Sequence, residues 1–458
     1  MLQRGTAEPF VKAAAGKAGR YSSLATKPIW LRANSPQIST SPSATLASDM
    51  RLNSLSLTNF RNYARLEMRF LERVTLLRGA NAQGKTNLLE AIHLLATGRS
   101  PRAGSERELI HWLALESPLP YARLQCQTGD AAEPQTLELV LELTGNGGNG
   151  QRIQKRVRVN GAPKRALDLV GRMRVVLFLP EDVSLVAGAP GERRRYLDIA
   201  LCQISSSYCH ALSEYNRSLS QRNALLKQLR EAGGDRGQLT FWNARLAEFG
   251  SLVSHRRTSA VRDLDRIAGQ KHRELSGGKE NLLLTYLPSP DLNAPWSANG
   301  RRLDRLAQSL AQAPSLSECL GREDWRQRFL ENLQHGEVRD IAAGTSLIGP
   351  HRDDVGFFAD DRDLRTYGSR GQQRTAALAL KLAELQMMRE ETDDSPLLLL
   401  DDVMSELDGS RRKMVTEALE SVSQAVITST DFADFPSGVL DQAGRYEVVS
   451  GCISQAAG

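Results

Sequence analysis

Residues 79–86 have the types and spacing of a phosphate-binding loop. The residues are Gly79, Ala80, Asn81, Ala82, Gln83, Gly84, Lys85 and Thr86. They fit the pattern G-x-x-x-x-G-K-[ST], in which glycines let backbone N–H groups converge on phosphate oxygens. The helix predicted to begin here offers its N-terminus to the same anion. Lys85 is expected to bridge the β- and γ-phosphates of a nucleoside triphosphate, and Thr86 to ligate Mg²⁺.

A second chemical signal is the apolar run of four leucines at 397–400, which ends in the carboxylates Asp401 and Asp402. Such a run is typical of a strand buried on both faces, and ligands of parallel sheets bind at the C-terminal ends of strands. Asp401 is expected to hold Mg²⁺ through water, and Asp402 to position or activate the water that attacks the γ-phosphate. We therefore predict that Asp402 and Lys85 act directly in hydrolysis.

A third segment, S-R-G-Q-Q-R at 369–374, opens a predicted helix with a serine and a glycine. Its first turn presents further N–H groups to an anion. Taken alone, this segment is typical of an ordinary helix N-cap. Its place in the chain suggests more, because Ser369 lies shortly before the Asp401 strand and the segment 405–408 (S-E-L-D) follows that strand directly.

Strands and helices predicted around these segments would bring them to one edge of a sheet. Alternating or continuous apolar patterns predict strands, and a 3.6-residue pattern predicts helices. The predicted strands are a half-buried strand that begins at 52–57 and the segments 73–78, 137–143, 153–159, 175–179, 397–400 and 425–428. Residues 192 to about 330 are charged and rich in Leu, Ala and Arg, and they predict a mostly helical insertion. The helices predicted outside that insertion are 87–97, 371–389 and 410–419.

Composition excludes several classes of protein. The 458 residues are 41% hydrophobic and 24% charged, which is ordinary for a globular protein. No uninterrupted apolar run approaches the roughly 20 residues that span a bilayer, so we expect no membrane insertion. Five scattered cysteines without a CxxC pair argue against a disulfide scaffold or zinc site. They favour a reducing compartment, and we expect a cytoplasmic protein.

The first 49 residues differ from the rest of the chain. They are rich in Ala, Ser, Thr and Pro, and they hold six Lys or Arg against two acids. This composition predicts a disordered N-terminal extension. It is either an organellar transit peptide or a dispensable extension upstream of a start at Met50. Because most of the net charge of +6 falls here, any polyanion-binding surface in the remaining chain must be a local patch.

The order of phosphate loop, serine-led helix, acid-ended strand and S-E-L-D segment resembles the ABC-type ATPases. In that family the serine-led signature closes over the γ-phosphate bound to the other subunit, so that ATP joins a dimer. The L-S-G-G run at 275–278 looks more like a transporter signature. No acid-ended strand follows it directly, and we interpret it as a loop.

Further segments, in their order and spacing, resemble the RecF family of bacterial recombination mediators from Met50 to about Asp431. They are 59–63, 98–100, 180–182, 221–225, 349–352 and 369–373. The resemblance implies an α/β fold: an ABC-type P-loop ATPase head with a mixed sheet, plus an inserted, mostly helical arm. We expect the head at 50–190 and 331–458 and the arm at 191–330.

The same resemblance implies an ATP-dependent DNA-binding protein of single-strand gap repair, replication restart and SOS induction. Such proteins form ATP-driven homodimers, bind duplex DNA near single-strand gaps, and help RecO and RecR to load RecA. By motif, residues 79–86 would cradle ATP, Thr86 and Asp401 would bind Mg²⁺, and Asp402 would be the hydrolytic carboxylate. The carried-over contacts with nucleotide are Arg61 near the bound ATP and Ser369, Gly371 and Gln372 on the partner's γ-phosphate.

One departure from transporter-type ATPases concerns the histidine that they carry after the strand following the acid-ended one. Here that position reads T-S-T-D at 428–431. Thr430 is a possible γ-phosphate partner, but a hydroxyl stabilises charge less well than an imidazolium. We therefore expect weak hydrolysis that acts as a timer. His351 is the alternative candidate for the missing histidine. The competing interpretation is that His351 is a loop residue whose hydrogen bonds are satisfied locally.

For DNA, the basic segment 151–174 offers Lys155, Arg156 and Arg158. Arg156 and Arg158 share one face of a predicted strand and would reach neighbouring phosphates. The arm adds residues 193–195 and a second basic cluster. That cluster is His255, Arg256, Arg257, Arg262 and Arg266. Aromatic residues are only 5% of the chain, which favours salt-sensitive contact with a duplex backbone over stacking on single strands.

Three other functions are weighed against this one. The ATP-binding subunit of an ABC transporter is the main alternative. Against it, the separation between the phosphate-loop lysine, Lys85, and the signature serine, Ser369, is far longer than such subunits need. A GTPase or small-molecule kinase would leave the Ser369 segment without a role, and no N-K-x-D motif is present. A chromosome-organising protein of the SMC type would need hundreds of heptad residues.

Overall fold

The computed structural model describes residues 50–129, 134–145, 152–289 and 321–456. The predicted extension at 1–49 and much of the loop predicted at 288–295 lie outside these residues. The described chain forms two six-stranded sheets and one three-stranded sheet. No helix within the described ranges is long and apolar enough to cross a membrane.

The first sheet is antiparallel throughout and runs in the order β2-β1-β4-β5-β6-β7. Its strands are β1 (Leu52–Phe60), β2 (Tyr63–Arg69), β4 (Tyr121–Thr128), β5 (Gln135–Thr144), β6 (Arg152–Val159) and β7 (Ala162–Lys164). Leu139 of β5 lies opposite Val157 of β6, which confirms the predicted hairpin. Alternate residues of β5 point into the core, as the period of a half-buried strand requires.

The central sheet runs in the order β15-β14-β3-β13-β12-β8 and is parallel except for β15 at its edge. Its strands are β3 (Val74–Arg78), β8 (Val175–Phe178), β12 (Leu397–Asp401), β13 (Ala425–Ser429), β14 (Ala443–Val449) and β15 (Cys452–Gln455). Strands from the start and the end of the chain are therefore neighbours. β13 lies between β3 and β12, so the chain following β3 and the acids of β12 meet at one edge.

Helices cover both faces of the central sheet and build the insertion. They are α1 (Lys85–Thr97), α2 (Ser184–Ala187), α3 (Pro190–Ile204), α4 (Ser206–Ala232), α5 (Leu239–Leu275), α6 (Arg322–His335), α7 (Glu337–Ala343), α8 (Leu364–Tyr367), α9 (Arg370–Thr392), α10 (Gly409–Ser421) and α11 (Ser437–Leu440). α4 and α5, with 27 and 37 residues, form a long antiparallel pair that dominates the residues predicted as an arm.

Two apolar cores lie on opposite faces of the central sheet. Leu398 and Leu400 of β12 pack into the core that also contains residues of α3, α5 and α9. Leu397 and Leu399 pack into the other core, with α1 and the antiparallel sheet. Because both faces of β12 are covered, the strand is apolar at every position, which is the pattern from which it was predicted.

The third sheet was not predicted. It consists of β9 (Leu282–Leu287), β10 (Asp354–Ala359) and β11 (Arg362–Asp363), in the order β11-β10-β9. β9 falls within the residues expected to be mostly helical, where a short apolar run cannot be distinguished from the end of a helix. Its pairing with β10 ties the residues after α5 to the C-terminal part of the chain.

A buried ion pair ties the two long helices together near the loop that joins them. Arg222 of α4 is fully buried and donates to Asp340 at 2.7 Å and Ser346 at 2.7 Å. Its Nε donates to Asn243 of α5 at 2.8 Å. The guanidinium therefore joins α4, α5 and α7 at a single point.

Replacing Asp340 by alanine is expected to destabilise the protein by about 3–5 kcal/mol, because it leaves a buried guanidinium without its counter-charge. Urea denaturation followed by circular dichroism measures the change. The exposed Asp441→Ala, which has no side-chain hydrogen bond in the described residues, should stay within about 0.5 kcal/mol of wild type. An equally small effect of both substitutions would contradict the assigned role.

Candidate nucleotide-binding site

The phosphate loop lies between β3 and α1, as predicted. Gly84 and Ala82 adopt left-handed backbone conformations, with φ of 115° and 65°. A Cβ on Gly79 would lie 2.5 Å from the carbonyl oxygen of Val448, and one on Gly84 would lie 2.5 Å from Asn62 Nδ2. Both glycines of the motif are therefore required by close neighbours, and Gly84 also by its φ.

The loop is held from two sides by residues that the motif does not contain. Asn62 Nδ2 donates to the Gln83 carbonyl at 2.9 Å, and the Tyr63 hydroxyl donates to the Gly84 carbonyl at 2.9 Å. From the turn between β14 and β15, the Gly451 N–H donates to the Gln83 carbonyl at 3.0 Å. These contacts preorganise the loop. Asn62 and Tyr63 belong to the 59–63 segment that carried part of the family resemblance, but no role was predicted for them.

Lys85 begins α1 and turns its ammonium back over the loop. Nζ donates to the carbonyl oxygens of Gly79 and, at 3.1 Å, Ala80. Burial lowers the pKa of Lys85, while the nearby charges of Asp402 and Asp401 oppose that shift. The cation is therefore in electrostatic range of both carboxylates that were predicted to share its site, without a salt bridge to either among the described residues.

Asp401 is bound by one threonine of the loop and one of β13. The hydroxyls of Thr86 and Thr428 donate to Asp401 Oδ1 at 3.0 Å and 2.7 Å. Burial raises the pKa of Asp401, and these two hydrogen bonds oppose that shift. Thr428 is fully buried on β13 and was missed, because sequence reasoning considered the exposed Thr430 instead. Thr428 fixes the carboxylate from the strand between the two motifs.

Asp402 has a different environment from its neighbour. β12 ends at Asp401, and Asp402 takes a left-handed conformation with φ of 49°. Its N–H donates to Thr428 Oγ1 at 3.0 Å, and Ser405 Oγ donates to its carbonyl at 2.9 Å. The turn leaves the Asp402 side chain half-buried while Asp401 is buried, so two consecutive carboxylates are suited to different tasks.

The pair Thr86 and Asp401 fits a magnesium ion. Mg²⁺ prefers hard oxygen ligands and takes one or two carboxylates together with phosphate oxygens and waters. A hydroxyl and a carboxylate oxygen 3.0 Å apart supply such a partial shell beside the loop. The described residues contain no cluster of three or more His, Cys, Asp or Glu that would hold a metal alone.

Among the described residues, Arg61 makes no hydrogen bond to the phosphate loop itself but precedes Asn62, which does. Its guanidinium makes a two-point contact with Glu90 of α1 at 2.8 Å and donates to the Glu108 carbonyl at 3.1 Å. Its backbone is left-handed, with φ of 52°. Arg61 thus orients the β1–β2 turn whose next residue, Asn62, reaches the phosphate loop.

The predicted signature segment is exposed. Ser369 caps α9: its hydroxyl accepts from the Gln372 N–H at 3.2 Å, and Gln372 Oε1 accepts from the Ser369 N–H at 2.8 Å. A Cβ on Gly371 would meet only Ser369 Oγ, at 3.8 Å. Among the described residues, no hydrogen bond joins Ser369, Gly371 or Gln372 to residues 79–86. The start of α9 is therefore open to another molecule.

The rival L-S-G-G run is a turn, as predicted. It lies at the C-terminal end of α5, where Ser276 donates back to the Arg273 carbonyl at 3.3 Å. Its Gly277 and Gly278 have φ of 63° and 77°. A helix C-terminus exposes carbonyl groups, which repel rather than bind a phosphate.

The predicted DNA-contacting residues lie on two faces of β6. Arg156 and Arg158 share the exposed face, as predicted, opposite Glu142 at 2.8 Å and Glu138 at 3.5 Å on β5. Lys155 is on the other face, where Nζ donates to the Gly98 carbonyl at 2.9 Å and pairs with Glu106. The three bases therefore do not form one patch.

The prediction that the arm bases form a DNA-binding surface is wrong for two of them. Arg193 is 3% exposed and pairs with Asp354 at 2.7 Å, and Arg257 is 2% exposed and pairs with Asp198 at 2.8 Å. Buried ion pairs cannot reach a phosphate. His351 is also internal, with Nδ1 at 2.7 Å from Tyr215 Oη, and burial lowers its pKa to about 4.

The fold and site define an ABC-type P-loop ATPase, with an acid-ended strand beside the loop and an exposed serine at the start of a long helix. Residues 51–438 match the family described as the RecF/RecN/SMC N terminal domain. Together with relatives named RecF that are 42% and 39% identical over 88% and 89% of this chain, this match shows that the chain belongs to the RecF family.

Two relatives illustrate the similarity. The DNA replication and repair protein RecF of Roseiflexus castenholzii is 42% identical over 88% of this chain and 99% of its own length. The protein of the same name from Halalkalibacterium halodurans is 39% identical over 89% of this chain and 100% of its own length. A solved structure, the recombination mediator protein RecF with ATP in the RecFOR pathway, is similar with a TM-score of 0.75 and 32% identity, covering 90% of this chain and 100% of that one.

Proposed function

We propose that this protein is an ATP-dependent, DNA-binding recombination mediator of single-strand gap repair, replication restart and SOS induction. The observation that carries the proposal is a preorganised phosphate loop joined to Asp401, combined with the exposed N-terminus of a second helix at Ser369. The relatives' name and the ATP-bound RecF structure support it. Family membership favours it over the transporter subunit.

ATP would lie on residues 79–86, with its phosphates on the loop N–H groups and on Lys85. Thr86 and Asp401 would hold Mg²⁺, which supplies a charge clamp on the β- and γ-phosphates. Asp402, half-buried beside them, would orient the attacking water. Lys85 lies where it would neutralise charge that develops on the γ-phosphate.

A second copy of the chain would complete the site. Ser369, Gly371 and Gln372 would present the start of α9 to the γ-phosphate held by the partner. Since Thr428 is committed to Asp401 and no histidine occupies this end of β13, hydrolysis would be weak and would time the release of the dimer.

The dimer would act in the cytoplasm on duplex DNA beside a single-strand gap, together with RecR and RecO, with Arg61 stabilising the nucleotide pocket. Arg156 and Arg158, each about half exposed, would contact the backbone. Lys155 would contribute only from the opposite face of its strand.

Sedimentation of the full chain with and without ATP, repeated with a gapped duplex at two salt concentrations, tests the proposal. We expect a monomer–dimer shift on addition of ATP, and duplex binding that weakens steeply as salt increases. ATP binding without dimerisation or DNA affinity would refute the proposal and return the transporter subunit as the better interpretation.

A further inference from the structure

A cavity of about 840 Å³ lies between the antiparallel sheet and the base of the arm. One wall is the chain that follows α1, including Gly98 and Arg99, and the opposite wall is formed by α3 and α4. None of residues 79–86 lines it, so it is distinct from the nucleotide site. Its volume falls within the roughly 300–1,000 Å³ of ligand-binding pockets.

Three arginines of the cavity wall have no acidic partner. Arg194 donates to the Asp353 carbonyl at 2.6 Å, and Arg195 donates to the Ser100 carbonyl. Within the described ranges, neither these two nor Arg99 forms an ion pair with a carboxylate. Neutral carbonyl oxygens satisfy part of the hydrogen-bonding capacity of these guanidinium groups but do not neutralise their charge.

The acids of the wall are already engaged elsewhere. Asp198 accepts from Arg257 at 2.8 Å and from the Tyr208 hydroxyl at 2.6 Å. Glu106 pairs with Lys155. The three unpaired arginines therefore give the cavity a net positive charge.

Arg99 and Arg195 also repel each other. Burial lowers the pKa of Arg195, and the charge of Arg99 lowers it further. Burial and the charge of Arg257 lower the pKa of Arg194, while the charges of Asp354, Asp353 and Asp198 oppose that shift. Partly desolvated like charges without a counter-ion are unfavourable, and an anion that enters the cavity relieves this repulsion.

We propose that this cavity is a phosphate-binding site formed by Arg99, Arg194 and Arg195. Guanidinium groups match the geometry of phosphate oxygens with two parallel hydrogen bonds, and the carboxylates of the wall, Asp198 and Glu106, are paired with other bases. The phosphate belongs either to a DNA backbone, in which case the site deepens the proposed function, or to a free phosphate compound.

Binding of a short fluorescent duplex to the full chain, measured by anisotropy across a salt series, tests the DNA source. Arg99→Glu is expected to lower affinity about tenfold, the loss of one charge-assisted hydrogen bond, and Arg195→Gln to reduce the salt slope by about 1. The matched control is Arg236→Glu, an exposed charge on the loop between α4 and α5, outside the cavity. It should change affinity much less.

A second arm tests a free phosphate source. Inorganic pyrophosphate is titrated by calorimetry into protein whose phosphate loop is saturated with ADP, for wild type, Arg99→Glu and Arg236→Glu. Binding that Arg99→Glu alone removes supports the site with a free phosphate as ligand.

If neither duplex nor pyrophosphate binding distinguishes Arg99→Glu from Arg236→Glu, the cavity is not a phosphate site. That result leaves the proposed function intact when wild type still binds DNA with ATP. Loss of DNA binding by wild type itself would instead refute the proposed function and not the cavity.

Discussion

Lys85→Ala is expected to lower the affinity for ATP by about 100-fold or more without unfolding the protein. Two charge-assisted hydrogen bonds to the β- and γ-phosphates are lost, each contributing about 1.5–3 kcal/mol. Lys85 Nζ bonds to the carbonyls of Gly79 and Ala80, and the buried Asp401 keeps its hydrogen bonds from Thr86 and Thr428 when Lys85 is removed, so the fold should persist. Titration with a fluorescent ATP analogue measures the affinity, and a thermal melt checks the fold.

Asp402→Asn is the matched control, because it keeps the shape of the side chain and removes only its charge. We expect it to bind ATP as wild type does and to hydrolyse it on the order of 100-fold more slowly, as expected for loss of a general base. ATP affinity unchanged by Lys85→Ala would place the nucleotide elsewhere and contradict the site described above.

The nucleotide site could be predicted from sequence where its residues are contiguous. The phosphate loop and the acid pair after β12 each carry a local pattern, and parallel strands bring their C-terminal ends to one edge. Thr428 could not be found in this way. Its contact with Asp401 depends on β13 lying between β3 and β12, which is a property of strand order and not of any local pattern.

The sequence misled where charge was interpreted without its partners. Arg193 and Arg257 have the spacing of a basic helix face, but their acids, Asp354 and Asp198, are far away in the chain. Helical periodicity alone does not distinguish a solvated basic stripe from buried ion pairs. Conversely, the cavity arginines Arg194 and Arg195 look no different in sequence from Arg193, and only the fold leaves them without a salt bridge among the described residues.

Arg61 shows a second limit of motif reasoning. The family resemblance implies that Arg61 lies near the nucleotide. In the structure Arg61 instead binds Glu90, and its neighbour Asn62 holds Gln83 of the phosphate loop, so Arg61 would act on the nucleotide through the loop. Glu90 also accepts from Ser100 Oγ, whose carbonyl accepts from Arg195 in the cavity. The residue therefore stands between the two anion sites rather than inside one of them.

Ser369→Arg is expected to block ATP-driven dimerisation while the monomer still binds nucleotide. The segment lies at an exposed helix start, without a hydrogen bond to residues 79–86 within the described chain, and the proposed γ-phosphate contact would therefore be made with another subunit. A long side chain at position 369 would keep a partner's γ-phosphate from the N–H groups of α9. Loss of a central interface contact costs about 2 kcal/mol or more, so the dimer dissociation constant should rise at least about 30-fold in sedimentation with ATP.

Two further variants separate this effect from a lost helix cap, which itself costs about 1 kcal/mol. Gly371→Leu keeps the Ser369 cap, and its Cβ would make only an ordinary contact with Ser369 Oγ at 3.8 Å, yet it should block dimerisation equally, because the same surface would face the partner in the proposed dimer. Ser276→Arg, in the rival L-S-G-G turn, should leave the dimer unchanged. If Ser276→Arg blocked dimerisation and Ser369→Arg did not, the signature would lie at the end of α5. If Ser369→Arg instead abolished nucleotide binding by the monomer, the serine would act within its own subunit and the trans arrangement would be wrong.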